Sequence, residues 1–241
     1  MQAVIERLRR LRRDQSGLAL IEFAITAPVL LTLGLMGIEV VHFAIANLRC
    51  SQIAMTVADN ASRVRQQITE DDINEVMQGA ILVGNGIDFG NKGRVILSDL
   101  EPTSTYSTDG GKQWIRWQRC VGVKNVTSSY GVPKTSTGTI ITNGTEKTAP
   151  SSQATSIPTN GTTSTPTAMG PSGRQIAALS GTAVMFVEVV YDYQPLVPLA
   201  TPLLGTRTLN YVAAFNVRQR TDQTLYAGSG SVKSCNSFTS S

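Results

Sequence analysis

Histidine is almost missing from this chain: His42 is the only one in 241 residues. A Ser-His-Asp or Cys-His relay would have to use it, and its place at the end of a long apolar run argues against that role. Cysteine is scarce as well. Cys50, Cys120 and Cys235 stand too far apart for a Cys-x-x-Cys metal site or redox motif. Gly84, Gly86 and Gly90 do not have phosphate-loop spacing, and no Lys-Ser/Thr pair follows them. No paired acids or metal-ligand cluster stands at a convincing spacing, so we expect no enzyme, no cofactor and no metal. Charge is sparse at 16% of residues, with a net +4. Five of the 21 basic residues (Arg7, Arg9, Arg10, Arg12 and Arg13) fall in the first thirteen positions, and beyond Gly17 the signs nearly balance. That basicity is local, which excludes a nucleic-acid-binding face and reads instead as a membrane-topology signal.

What is abundant lies just downstream. From Leu18 to Ile38 the chain is a dense apolar run, interrupted by the carboxylate of Glu22 and by Pro28. As a helix this run would rise about 31 Å at 1.5 Å per residue, which matches the hydrocarbon thickness of a bilayer. It is too long for the core of a secretory signal, and no small-x-small cleavage site follows. The arginines on its N-terminal side place that end in the cytoplasm and send the rest across. Proline is tolerated in such a helix because the freed carbonyl can be satisfied locally. An acid inside the span is different. Charged groups at the centre of a spanning helix cost roughly 2.5–3.5 kcal/mol, less near an end, so Glu22 is a functional hypothesis by default.

Glu39 to Arg65 contains no Gly or Pro and continues the helix, with Val41, Ala44, Ile45, Leu48, Met55 and Ala58 at spacings that predict the stripe packed on a domain. Thr69 and Asp72 form a capping-box pattern, and Ile73, Val76, Met77, Ala80 and Ile81 then predict a short helix closed by Gly84-Asn85-Gly86. Strands are expected over 94–100, 113–121, 182–193 and 209–218, with Gly110-Gly111 turning into the second. In that second strand Trp114, Arg116 and Gln118 would face one way and Ile115, Trp117 and Arg119 the other. Interleaved Trp and Arg could bind a nucleic-acid strand or a sugar, but paired tryptophans on a strand more commonly pack on a helix. The strand at 182–193 alternates Met185, Val187, Val189, Tyr191 and Tyr193 against Val184, Phe186, Glu188, Val190 and Asp192. This predicts one buried face and one partly wet face, with Pro195 and Pro198 ending the strand.

Residues 125–173 are Ser/Thr/Asn/Gly/Pro-rich and should be mostly an exposed, disordered insertion. The sequons at Asn125, Asn143 and Asn160 arise by chance in such composition and carry no assigned function. The tail from Gly228 is expected to be pinned only by Cys235. In an oxidising compartment two cysteines can pair. Cys50 falls in the helical region and the other two in the strand-rich part, so position favours Cys120–Cys235, the alternative being three reduced thiols.

The organisation is therefore α+β: a leader at 1–17, a transmembrane helix at 18–38, its extension plus a second helix at 39–83, and a sheet domain at 84–241 carrying the insertion at about 125–173.

Arg13-Asp14-Gln15-Ser16-Gly17-Leu18-Ala19-Leu20-Ile21-Glu22-Phe23-Ala24, with Ala27-Pro28-Val29-Leu30, resembles the N-terminal signature of the TadE/TadG-like family, minor pilins of Tad (tight adherence) type IV pili. Trp114 to Cys120 resembles the family's middle strand. Phe186 to Tyr193 with Val217-Arg218-Gln219-Arg220 resembles its C-terminal strands. The resemblance implies a pilin-like fold, a long helix on an antiparallel sheet. It also implies a prepilin peptidase that cuts after Gly17 and leaves Leu18 as the new N-terminus, with Glu22 and Phe23 in the processing and assembly motif. Glu22, fifth in the mature chain, would pair with the terminal amine of a neighbouring subunit. At 4 Å and an effective dielectric of 20 such a pair attracts by about 4 kcal/mol, comparable to the cost of burying the acid in lipid. The implied partners are the peptidase, other Tad pilins and minor pilins, the inner-membrane assembly platform and membrane lipid. The implied place is the bacterial inner membrane, N-terminus cytoplasmic and domain periplasmic, with incorporation into an extracellular pilus and a part in adherence and surface colonisation. The alternative is a helix beginning after Glu22 in an unprocessed single-pass protein that presents a periplasmic β-rich binding domain.

Overall fold

The computed structural model describes residues 16–102, 113–133, 168–197 and 205–240. The basic leader up to Asp14, the Gly110-Gly111 turn, Pro198, the sequons at Asn143 and Asn160 and the middle of the 125–173 segment lie outside these residues.

The fold is α+β. Helix α1 runs unbroken from Ser16 to Arg63 with Pro28 inside it. Strand β1 (Ile68–Thr69) leads into α2 (Glu70–Val83), whose start is fixed by the capping box. The Thr69 hydroxyl accepts the Asp72 N–H at 3.2 Å, and the Asp72 carboxylate accepts the Thr69 N–H at 2.8 Å. A cap of this kind contributes about 1 kcal/mol. A 3-10 turn (Asn85–Ile87) and the one-turn helix α3 (Phe89–Lys92) follow, an addition not anticipated from the sequence. Asp88 between them takes the left-handed conformation at φ 54°, which aims Phe89 back under the sheet to stack on Tyr191 at 5.9 Å. Strands β2 (Gly93–Pro102), β3 (Gln113–Val121), β4 (Val184–Tyr193) and β5 (Arg207–Asn216) form an antiparallel sheet in the order β3-β2-β4-β5. Strand β6 (Leu225–Tyr226) pairs in parallel with β1.

The chain divides into two compact units: the part up to Ala44 with Pro195–Gly205, and Ile45–Gln194 with Thr206–Ser241. In the second unit, α1 buries Ala46, Cys50, Ile53, Ala54, Val57, Ala58 and Ala61. Tyr211 of β5 donates to the Asn47 amide oxygen at 2.9 Å. This corrects the expected stripe, of which only Ala58 is inside. Val41, Ile45, Leu48 and Met55 are all exposed, at 45–59%, and so is Ala44. Both faces of this stretch are apolar, and the buried one is the richer in small residues (Ala46, Ala54, Ala58 and Ala61), which let backbones approach closely around Ile53 and Val57.

Two further expectations are corrected at the sheet. The first concerns β3. Leu100 pairs with Ile115 and Ser98 with Gln118, so two residues of β3 stand opposite Asp99. This β-bulge breaks the alternation and puts Ile115 on the same face as Gln118. Both tryptophans are buried, and the Trp117 indole N–H donates to the Gln223 carbonyl at 3.1 Å. The second concerns the face expected to be partly wet. β2, β3 and β4 are buried on both sides. The described flanks of the 125–173 segment, with Ala178 just beyond, lie on the outer face: Leu100, Ile115, Val184 and Phe186 pack with Met169 and Ala178, and Tyr130 lies edge-on to Phe186 at 5.5 Å. Gly131, Pro133, Met169 and Gly170 of those flanks are buried, although Asn125, Thr127 and Ser129 stay exposed.

The C-terminal tail is also held more firmly than by one cysteine. Cys120 and Cys235 are disulfide-bonded. The Cys120 and Gly122 N–H groups on the β3 edge donate to the Lys233 and Thr239 carbonyls at 2.9 and 2.7 Å. The Asp71 carboxylate accepts the Ser229 and Gly230 N–H groups. Arg94, fully buried, donates to the Cys235 carbonyl at 2.7 Å and the Ser237 carbonyl at 3.1 Å and lies 4.3 Å from the Phe238 ring centroid.

Candidate processing and assembly segment

The first turns of α1 carry the residues singled out from the sequence. Gly17 opens the helix, and a Cβ built there would meet nothing within 4 Å, as also at Gly34 and Gly37. Folding therefore does not require a glycine at 17. Leu18 is 57% exposed and Phe23 70%. Glu22 is exposed, and its side chain makes no bond among the described residues. Only its carbonyl is engaged, accepting the Thr26 hydroxyl at 2.8 Å. Past Pro28 the Thr32 hydroxyl folds back to the Pro28 carbonyl at 2.7 Å, so both threonines of this stretch satisfy their hydroxyls on their own helix. The helix has an apolar window that is 0% buried, long enough to cross a membrane. The structure brings Cys120 and Cys235 together on the sheet and leaves Gly17, Leu18, Glu22 and Phe23 side by side on an exposed helix end.

Residues 17–59 are TadE-like. They match the family model described as TadE-like protein. No characterised protein and no solved structure matches the chain. The TadE-like segment lies wholly within α1. It takes in the exposed apolar window as well as most of the small-residue face buried in the second unit.

Sequence reasoning assigned no role to two groups that the structure marks. Glu39, at the far end of the apolar run from Glu22, is completely buried, and its carboxylate accepts the Val197 N–H at 3.0 Å within the first unit. An acid directly after an apolar run was a visible signal. Arg220 is the second. Its Nη1 donates to the Ala61 and Val64 carbonyls at 3.4 and 3.3 Å, placing a cation where α1 exposes unpaired acceptors, and Nε donates to Gln223 at 2.8 Å. Burial draws the Arg220 guanidinium below its ordinary range, and Asp99 and Glu101 oppose that.

Asp99, at the bulge, is fully buried, and neither carboxylate oxygen has a hydrogen-bond partner among the described residues. Burial pushes its carboxyl well above the usual range. Glu101, two residues along on the same strand face, adds to the shift, while Arg220 and Arg116 reduce it. Glu101 is itself raised by burial and is held by Arg116 at 2.9 Å. No group of His, Cys, Asp and Glu among the described residues could hold a metal ion.

Proposed function

We propose that the chain is a minor pilin of a Tad-type pilus, cut by a prepilin peptidase after Gly17 and inserted through α1 into a bundle of pilin helices. One observation carries this reading: the residues that match a TadE-like protein are those of a continuous helix that leaves most of its large apolar side chains exposed, from Leu18 through Ile45 and Leu48 to Met55. A helix apolar on its outside needs lipid or other helices around it. A lipid anchor alone would account for the window to Ile38. The exposed Ile45, Leu48 and Met55 beyond it fit neighbouring subunits better.

The chemistry of the first residues fits the same reading. Glycine at 17 has no packing role, but a Cβ-free residue enters a narrow proteolytic site readily. Cutting there creates a positive amine at Leu18, five positions counting inclusively from a free carboxylate. The pairing of one subunit's amine with the next subunit's Glu22 then offsets the cost of taking that acid into the bundle. In this reading the chain resides in the inner membrane with its sheet unit in the periplasm until it joins other pilins at the assembly platform.

The test is at the Gly17–Leu18 bond. In piliated cells the mature protein is expected to begin at Leu18 by N-terminal sequencing or intact mass; Met1 retained in those cells would sink the proposal. Gly17→Leu should block cutting. Glu22→Ala should be cut normally but incorporate poorly, and normal pili from that variant would remove the pairing role while leaving the cut site standing.

A further inference from the structure

The outer face of the sheet carries a cleft that the pilin reading does not use. Residues 124–129 form an arch over the β4–β5 end of the sheet, and the arch is fastened at both feet. At one foot the Lys124 N–H donates to the Gly93 carbonyl at 3.2 Å. At the other the Ser129 N–H donates to both oxygens of the buried Glu188 carboxylate, at 2.9 and 3.1 Å, and the Ser128 hydroxyl adds a third bond at 3.2 Å. Between the feet lies a cavity of about 490 Å³, within the range of small-molecule sites.

The lining is specific in chemistry. Its aliphatic part is Val190 and Val126. Around them stand Asn125 and Thr127 of the arch and Thr208 and Asn210 of β5, with Thr208 and Asn210 paired across the strands to Asp192 and Val190. The side chains of Asn125, Thr127 and Asn210 make no hydrogen bond among the described residues, so two amides and a hydroxyl remain available as donors and acceptors. The single cation, Lys124, is already neutralised: it forms an ion pair with Asp192, whose other oxygen accepts the Thr208 hydroxyl at 2.7 Å. A site for phosphate or an acidic peptide would leave that lysine uncommitted. A purely apolar ligand would strand the amides. A sugar presents hydroxyls on its rim and C–H groups on its face, and those are what amides and valines receive.

We propose that this cleft binds a neutral oligosaccharide. The proposal is independent of the pilin reading, since it rests on residues 124–129 and strands β4 and β5 and not on α1.

The experiment is saturation-transfer NMR on the full chain in a sugar-free detergent, with chitotriose and maltotriose as neutral probes and 3′-sialyllactose as the anionic comparator. At least one neutral trisaccharide should bind, and Asn125→Ala and Asn210→Ala should each weaken it about tenfold, the effect of losing roughly one hydrogen bond. Both positions are exposed, so truncation leaves the fold intact, and retention of the Cys120–Cys235 bond on a non-reducing gel checks this. Asn60→Ala, exposed on α1, should change nothing. Binding by neither neutral trisaccharide overturns the proposal. So does neutral binding that both variants retain, or tighter binding of the anionic comparator. A peptide that competes the trisaccharide off while contacting the β5 edge would assign the cleft to protein recognition and overturn it too.

Discussion

Asp99 is where a single side chain sets a property of the whole fold. Its carboxyl is buried beside Glu101 and is raised well above the usual range. The folded chain thus holds a proton that the unfolded chain releases near pH 4. Stability contributed by that proton is complete below about pH 4 and is lost as pH rises toward the folded-state value. Asp222 works in the opposite direction: the Tyr226 hydroxyl and the Thr224 N–H hold its carboxylate down at about 2, and its contribution, present above about pH 4, disappears as pH falls through 2. Asp99→Asn should therefore flatten the decline of melting temperature above pH 4, without abolishing it, because Glu101 and Glu188 are also raised by burial. The same slope in the variant and the parent chain would show that Asp99 does not carry the effect. None of this was legible from Ser98-Asp99-Leu100. A lone acid in a strand reads as a solvent-facing residue, and only the fold shows this one fully buried, with no hydrogen bond to its carboxylate among the described residues.

At the scale of elements, the local signals were readable and the long-range ones were not. Thr69 and Asp72 announced the start of α2 because a capping box is complete within four residues. The β-branched run of β4 announced itself equally well. Which face of α1 turns inward was misread, since periodicity identifies an apolar stripe without saying which of two stripes is covered. The link between α2 and the sheet was also invisible. Glu70, in the first turn of α2, meets Arg119 of β3 through two hydrogen bonds, one at 2.9 Å from Nε, with both side chains at most 4% exposed. Their separation in sequence is 49 positions. Removing one partner from a buried pair leaves the other charge stranded, typically at a cost of roughly 3–5 kcal/mol. Glu70→Ala should lose stability of that order in denaturant titration of the detergent-solubilised chain, and Glu70→Met with Arg119→Met should recover a good part of it. A loss under about 1 kcal/mol in the single variant would mean that water reaches the pair.

For the whole molecule, the tail and the disulfide close the second unit on itself. The Cys120–Cys235 link joins positions 115 residues apart. Cross-links over loops of that size commonly contribute roughly 2–5 kcal/mol. Cys120→Ser should lose stability in that range and lose the mobility shift on non-reducing gels, while the Arg94 hydrogen bonds to the Cys235 and Ser237 carbonyls remain to hold the tail. Unchanged mobility of the parent chain on reduction would contradict the bond. Cys50 does not compete for it: burial alone lifts that thiol to about 12, well out of the reactive range. The α+β class and the apolar helix followed from composition and spacing. The second layer on the sheet did not, because its parts come from the two ends of a segment whose composition promised no packing.

Those two ends have an architectural consequence. Pro133 is buried on one side of the Ser/Thr-rich stretch, and Met169 on the other is buried in the cluster with Leu100 and Phe186. Lengthening a flexible connection between two anchored ends costs little, about 0.6 kcal/mol for each doubling. The molecule thus has a socket for foreign sequence. Evolution or an engineer could exchange the insert, in size as well as in composition, while the scaffold that carries it stays the same.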